Sequence, residues 1–207
     1  IVQSGNDAAI VLAEGIAGSE EDFALQMNQY ANSLEMNNTF FTNSTGWPHE
    51  ELKTTAYDLI VLTEALINNF PKLYKLFVEK EFTFNNISQP NRNPLLIGRY
   101  KVPGADGLKT GHTNESGYGL IGSVVRQKRR ITLVLNGLKS MRQRGKESKR
   151  LIEMAFRETY LLRAFQNKDV LSTANVWLGN KSTIKLMAEK PLKVLVNRSS
   201  LRMIKTT

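Results

Sequence analysis

The 207-residue chain is 41% apolar and 8% aromatic, enough for a packed core, which excludes wholesale disorder. It holds no cysteine, so disulfide staples, thiolate zinc sites and a cysteine nucleophile are excluded, and no apolar run approaches the roughly 20 residues that span a bilayer. Of 28 basic and 19 acidic residues, ten and one lie between Arg126 and Arg150, and the remaining 18 of each sign cancel. The net charge of +9, which ordinarily raises nucleic acid as a partner, therefore sits on one segment of an otherwise neutral body; no nucleic acid is expected once the motifs below are read.

The chain starts at Ile1 and runs into Val2-Gln3-Ser4-Gly5-Asn6, without the charged start, apolar stretch and cleavage site of a signal peptide. It reads as a piece of a longer protein. Asn6 or Asp7 caps a helix through about Ala17, closed by Gly18. Ser19-Glu20-Glu21-Asp22 resembles a capping box, with Asp in place of Glu. Phe23, Met27, Tyr30, Ala31 and Leu34 then recur at helical spacing. Asn43 to Pro48 is a loop by its turn residues. Thr54 or Thr55 caps a third helix bearing Leu59, Leu62 and Leu66, and Pro71 opens a short fourth.

Phe82 and Phe84 alternate with polar residues and predict a strand, followed by loop from Ser88 to Pro94. Gly117 to Val125 and Ile131 to Leu135 are β-rich runs joined by a polar turn at Gln127-Lys128. Ser140 to Ser148 is polar and basic, and Lys149 to about Phe165 reads as helix. Beyond Asp169, the runs Val176-Trp177-Leu178, Ile184-Lys185-Leu186 and Val194-Leu195-Val196 give a β pattern. The fold class is α+β: helices packed on an antiparallel sheet over residues 1–160, then the start of a small all-β domain over 161–207.

Several chemistries fail at once. There is no Gly-x-Ser-x-Gly, no Walker loop and no dinucleotide fingerprint. His49-Glu50-Glu51 lacks a second histidine, and carboxylates do not cluster around His49 or His112. No metal and no cofactor is expected. Two triplets remain: Ser4-Gly5-Asn6 before a helix, and Lys109-Thr110-Gly111 leading into the hairpin. Each alone reads as a cap or a turn. Their order and spacing resemble the penicillin-recognising serine hydrolases.

The resemblance extends along the chain. Val2-Gln3-Ser4-Gly5-Asn6-Asp7-Ala8, Glu81-Phe82-Thr83-Phe84-Asn85, Gln89-Pro90-Asn91-Arg92-Asn93 and Gly107-Leu108-Lys109-Thr110-Gly111-His112-Thr113 are similar to serine D-alanyl-D-alanine carboxypeptidases, the low-molecular-mass penicillin-binding proteins. Gly117-Tyr118, Arg142-Gln143-Arg144 with Glu147-Ser148, and Val176 to Ser182 continue it, the last resembling the start of that family's C-terminal β-domain. The resemblance implies the penicillin-binding, β-lactamase-like transpeptidase fold, incomplete at its N-terminus. The family's nucleophilic serine and its lysine base lie in a Ser-x-x-Lys upstream of Ser4. The one Ser-x-x-Lys here, Ser182-Thr183-Ile184-Lys185, lies in an alternating run that would point the two side chains to opposite faces, and it is rejected as the site.

Residue by residue, the resemblance makes Ser4 a proton relay, Asn6 an amide for a substrate carbonyl, and Lys109 an ammonium in the cleft. Thr110 and Arg144 would hold the substrate carboxylate, Gly111 would admit the substrate backbone, and the His112 N–H would serve the oxyanion hole. Arg92 matches a second family arginine near the cleft and reads equally as a structural ion pair. The other basic side chains read as a solvated face. The implied partners are a peptidoglycan stem peptide ending in D-Ala-D-Ala, β-lactams, and the missing N-terminal segment. The implied place is the periplasm, on the inner membrane through a C-terminal amphipathic helix. The alternatives are a D,D-endopeptidase, a β-lactamase-like hydrolase, or a non-enzymatic basic binding module.

Overall fold

The computed structural model describes residues 1–200. Helix α1 spans Asn6–Ala17 and α2 spans Glu20–Ser33. Gly18 closes α1 in the left-handed conformation (φ 89°), its N–H donating to the Glu14 carbonyl at 2.8 Å. The cap of α1 is not Asn6 or Asp7: Gly5 is the N-cap and Asn6 is already helical, so its amide is not spent on the helix end. Ser19 does cap α2, accepting from the Asp22 N–H at 3.0 Å. Its hydroxyl also donates to the Asp22 carboxylate, so the acid meets the hydroxyl and not the cap's own N–H. Ala13 of α1 and Ala24 and Ala31 of α2 are buried where these helices pack, while Tyr30 stays 42% exposed.

Thr55 caps α3 (Ala56–Asn69) by accepting from the Asp58 N–H at 3.1 Å. Asp58 is buried and satisfied. It accepts from the Asn38 N–H (2.9 Å) and the Thr39 hydroxyl (2.7 Å), fastening the turn after α2 to the start of α3. Pro71 opens α4 (Pro71–Tyr74), continued by a 3-10 turn over Lys75–Val78.

Strands β1 (Glu81–Phe84) and β2 (Ile87–Pro90) form a hairpin, so the first residues of the expected Ser88–Pro94 loop belong to a strand. The reason is the Asn85-Asn86 turn, whose φ values of 48° and 61° match the twist of paired strands. Strands β3 (Ala105–Thr113), β4 (Gly117–Arg126) and β5 (Arg129–Leu138) then make an antiparallel sheet in chain order. The turn at Gln127-Lys128 is where the sequence places it. Lys109-Thr110-Gly111 lies inside β3, not ahead of the hairpin.

Register sorts the side chains of this sheet. Lys109 opposes Ile121 and Gly107 opposes Ser123; Thr110 opposes Leu120 and His112 opposes Tyr118. Alternation puts the first two pairs on one face and the last two on the other. On the Lys109 face, the Tyr74 hydroxyl stands against Gly107, where an added Cβ would lie 2.7 Å from it. That hydroxyl donates to Asp106 at 3.1 Å, and Arg130 Nη1 donates to it, to Asp106 and to the Ser123 hydroxyl. One phenol thus ties α4 to all three strands. Burial pushes Tyr74 up to about 12.

Helix α5 spans Met141–Glu158, beginning and ending earlier than the expected 149–165. Its buried positions are Arg144, Gly145, Ser148 and Ile152, a polar inner face that hides the helical period from a hydropathy reading. Thr159–Phe165 is strand β6, because its partner is the distant β9 (Leu192–Asn197). Contacts divide the chain at Ile152/Glu153, eight residues before the boundary read from the sequence. In the second unit β7 (Val170–Asn175) pairs with β8 (Thr183–Met187). Trp177 and Leu178, expected in a strand, form the exposed turn between them. Ser182 and Lys185 are both exposed, the lysine inside β8.

Candidate active site

Ser4 stands two residues ahead of α1 with φ at 56°, a left-handed backbone that residues bearing a Cβ seldom adopt. Neighbours hold it there. The Ser4 N–H donates to the Ile1 carbonyl, and Gln3 Nε2 donates to the Pro90 carbonyl at 2.5 Å. The Ser4 hydroxyl accepts from Lys109 Nζ at 2.7 Å, and the same ammonium donates to the Thr110 carbonyl at 2.7 Å. Two residues 105 apart in sequence thus meet at hydrogen-bond distance.

Burial lowers Lys109 first, and the charges of Arg92 and Arg144 lower it further, to about 8. Even so lowered, it presents an ammonium to the Ser4 hydroxyl at neutral pH. Arg92 is exposed, but both its neighbours are buried. The Asn91 side chain donates to the Glu79 carbonyl and accepts from the Asn93 N–H, and Asn93 accepts from the Leu95 N–H. These two asparagines pin the loop that brings Arg92 within electrostatic reach of Lys109.

A cleft of about 460 Å³ opens beside Ser4, Asn6 and Lys109, floored by Leu62 and Leu66 of α3. Thr110 is buried, 9% exposed, and the next residue along β3 opens to solvent. A Cβ added to Gly111 would meet nothing within 4 Å. Among the described residues β3 is an edge strand, so an extended peptide has room to pair along it. The His112 ring is exposed and stacks on Tyr118, centroids 3.9 Å apart. Arg144 reaches from α5 to donate to the carbonyls of Gly111 (3.3 Å) and Gly119 (3.4 Å). Burial holds its pKa below the ordinary value.

All eight residues singled out in the sequence lie on or beside β3. Ser4, Asn6 and Lys109 share the cleft, Thr110, Gly111 and His112 follow along the strand, and Arg92 and Arg144 flank it. Sequence reasoning noted Tyr118 only within a motif and gave it no role. Its signal is the register: Thr113 opposite Gly117 puts the residues one step out, His112 and Tyr118, face to face.

A family model for D-alanyl-D-alanine carboxypeptidase matches residues 1–139. The chain belongs to the D-alanyl-D-alanine carboxypeptidase family. D-alanyl-D-alanine carboxypeptidase DacC of Escherichia coli is 39% identical over 207 residues, all of this chain and 51% of that protein. Penicillin binding protein 5 from Haemophilus influenzae superposes with a TM-score of 0.82 at 34% identity, over 96% of this chain and 58% of that one. Penicillin-Binding Protein D2 from Listeria monocytogenes, solved in a cefotaxime-bound form, superposes at 0.68 with 30% identity, over 75% of this chain and 63% of that one. The chain spans about half the length of the curated relatives it matches. The likenesses bear out the α+β penicillin-binding fold read from the sequence. In this carboxypeptidase-family chain, the two triplets that carried the reading are the two that meet at Ser4 and Lys109.

Proposed function

We propose that this chain forms part of a serine-type D-Ala-D-Ala carboxypeptidase, which removes the terminal D-alanine from peptidoglycan stem pentapeptides through an acyl-enzyme and is acylated by penicillins. The observation that carries the reading is the 2.7 Å hydrogen bond from Lys109 to Ser4 beside the cleft. The attacking serine and its lysine base belong to the family's Ser-x-x-Lys segment, N-terminal to Ser4.

In the first half of the reaction the serine oxygen bonds to the scissile carbonyl carbon while its lysine takes the hydroxyl proton. The carbonyl oxygen becomes an oxyanion, held by the N–H of His112 and of the serine. One such donor is worth about 3 kcal/mol of barrier. The C–N bond then breaks and the D-alanine amine takes a proton through the Ser4 hydroxyl, which can donate and accept. Lys109, on the other side of Ser4, keeps that relay next to a positive charge. Water reverses the sequence and frees the shortened peptide. Asn6 steadies a substrate carbonyl, Gly111 leaves room for its backbone, and Thr110 and Arg144 take the terminal carboxylate, with Arg92 adding charge at the rim.

The same reading carries a periplasmic location and attachment to the inner membrane through a C-terminal amphipathic helix. Among the described residues no helix is long and apolar enough to cross a membrane. Fluorescent penicillin on a denaturing gel is the test. A chain that includes the Ser-x-x-Lys segment takes covalent label, and Ser4→Ala or Lys109→Ala slows labelling by about 100-fold or more. The 207-residue chain by itself takes no label and releases no D-alanine. Label on that chain, mapped to Ser182, overturns the assignment, as does an unlabelled longer chain that binds polyanions instead.

A further inference from the structure

Arg144 is held in an unusual way for a buried cation. It is only 6% exposed, yet none of the ion pairs among the described residues includes it. Its Nη1 makes two long hydrogen bonds to backbone carbonyls, and its Nε has no partner. Burying a guanidinium with an unpaired N–H is costly, so something else must hold it. That something is aromatic: the Cζ of Arg144 lies 5.6 Å from the centre of the Tyr118 ring. The Tyr118 ring is backed by the His112 ring, tilted 38° to it. Two strands and a helix converge on this stack. His112 comes from β3, Tyr118 from β4, Arg144 from α5, and the register of β4 against β5 shifts between Tyr118 and Leu120, a device that re-aims a side chain.

We propose that Tyr118, backed by His112, is the positioning residue that aims the Arg144 guanidinium, and so sets how strictly the site demands a free C-terminal carboxylate. The proposal rests on the carboxylate role given to Arg144 above. A ring face attracts the cation without occupying its N–H groups. It therefore keeps the guanidinium in place while leaving its outer nitrogen to meet the carboxylate. A competing acid would fill those donors; an aliphatic side chain would leave the guanidinium free to turn toward water.

The test compares two peptides in a chain that carries its nucleophilic serine, one ending in D-Ala-D-Ala and one with that terminus amidated. The readout is the ratio of their kcat/KM values, with KM and kcat separated. Tyr118→Leu is expected to lower the preference for the free acid about tenfold, through KM, and Tyr118→Phe to retain it, because the ring face and not the hydroxyl holds the cation. Tyr118→Met serves where the leucine variant does not fold, and penicillin labelling reports folded enzyme. A folded non-aromatic variant that keeps the preference overturns the proposal, and so does a Phe variant that loses it as fully as Leu. Arg144→Gln separates the two readings. If it leaves the preference intact, the carboxylate role itself fails. If it removes the preference while Tyr118→Leu does not, only the role of Tyr118 fails.

Discussion

Lys109 gives the most direct physical test. Its pKa is lowered from the ordinary 10.5 to about 8, by burial first and then by Arg92 and Arg144. Below pH 8 the ammonium is charged in both native and unfolded chains, and the native state bears the full cost of holding it. Between 8 and 10.5 the unfolded chain still binds the proton and the native chain has released it. Stability therefore rises with pH across that window and levels off above it. The full shift corresponds to about 3 kcal/mol. Part of the side chain still meets solvent, and screening reduces the expected gain between pH 7 and pH 10 to about 2 kcal/mol. Urea unfolding of the wild-type chain and Lys109→Met across that range isolates the effect, because the Met variant subtracts every other titrating group. The wild-type advantage should grow by that amount, and Arg92→Gln should shift the rise to higher pH. Parallel curves for the wild-type and Met chains, or a wild-type stability that falls relative to the Met chain as pH rises, would refute the assignment of a desolvated lysine.

Three further outcomes follow from local geometry. Thr55→Ala removes the side-chain cap of α3, which should cost about 1 kcal/mol and a few degrees of thermal midpoint by circular dichroism. Gly145→Ala puts a Cβ 2.3 Å from the Tyr100 ring and should destabilise by about 1–3 kcal/mol, whereas Gly15→Ala, in open space within α1, should stabilise the same 207-residue chain by about 0.5–1 kcal/mol. Asn86→Gly suits the left-handed second position of the β1–β2 turn and should raise the denaturation midpoint.

Local signals served well where the deciding physics is local. Gly18, Thr55, Pro71 and the Gln127-Lys128 turn each sit where the sequence puts them, because capping and turn chemistry involve only a few consecutive residues. Failures cluster where the deciding partner is distant or polar. The strand Thr159–Phe165 exists because of Leu192–Asn197, and its own apolar residues read equally well as the end of a helix. The first half of α5 reads as loop because its inner face is Arg144, Gly145 and Ser148. The roles drawn for Ser4, Lys109 and Arg144 came from motif resemblance, not from periodicity.

What the sequence by itself determined is composition, the caps of α2 and α3, the Gln127-Lys128 turn, the two triplets and their order, and with them the family. A triplet is a covalent fact, and its order along the chain survives any folding. Only the tertiary structure decided that Ser4 and Lys109 touch, that Lys109 is desolvated beside two arginines, and that Tyr118 stands between His112 and Arg144. Each of these depends on strand register and burial, which arise between segments and have no counterpart within any one of them. The basic segment shows the division most plainly. Its charge is counted from the sequence, but only the fold distinguishes Arg144, drawn in against an aromatic ring, from its neighbours Arg142 and Lys146, which face water.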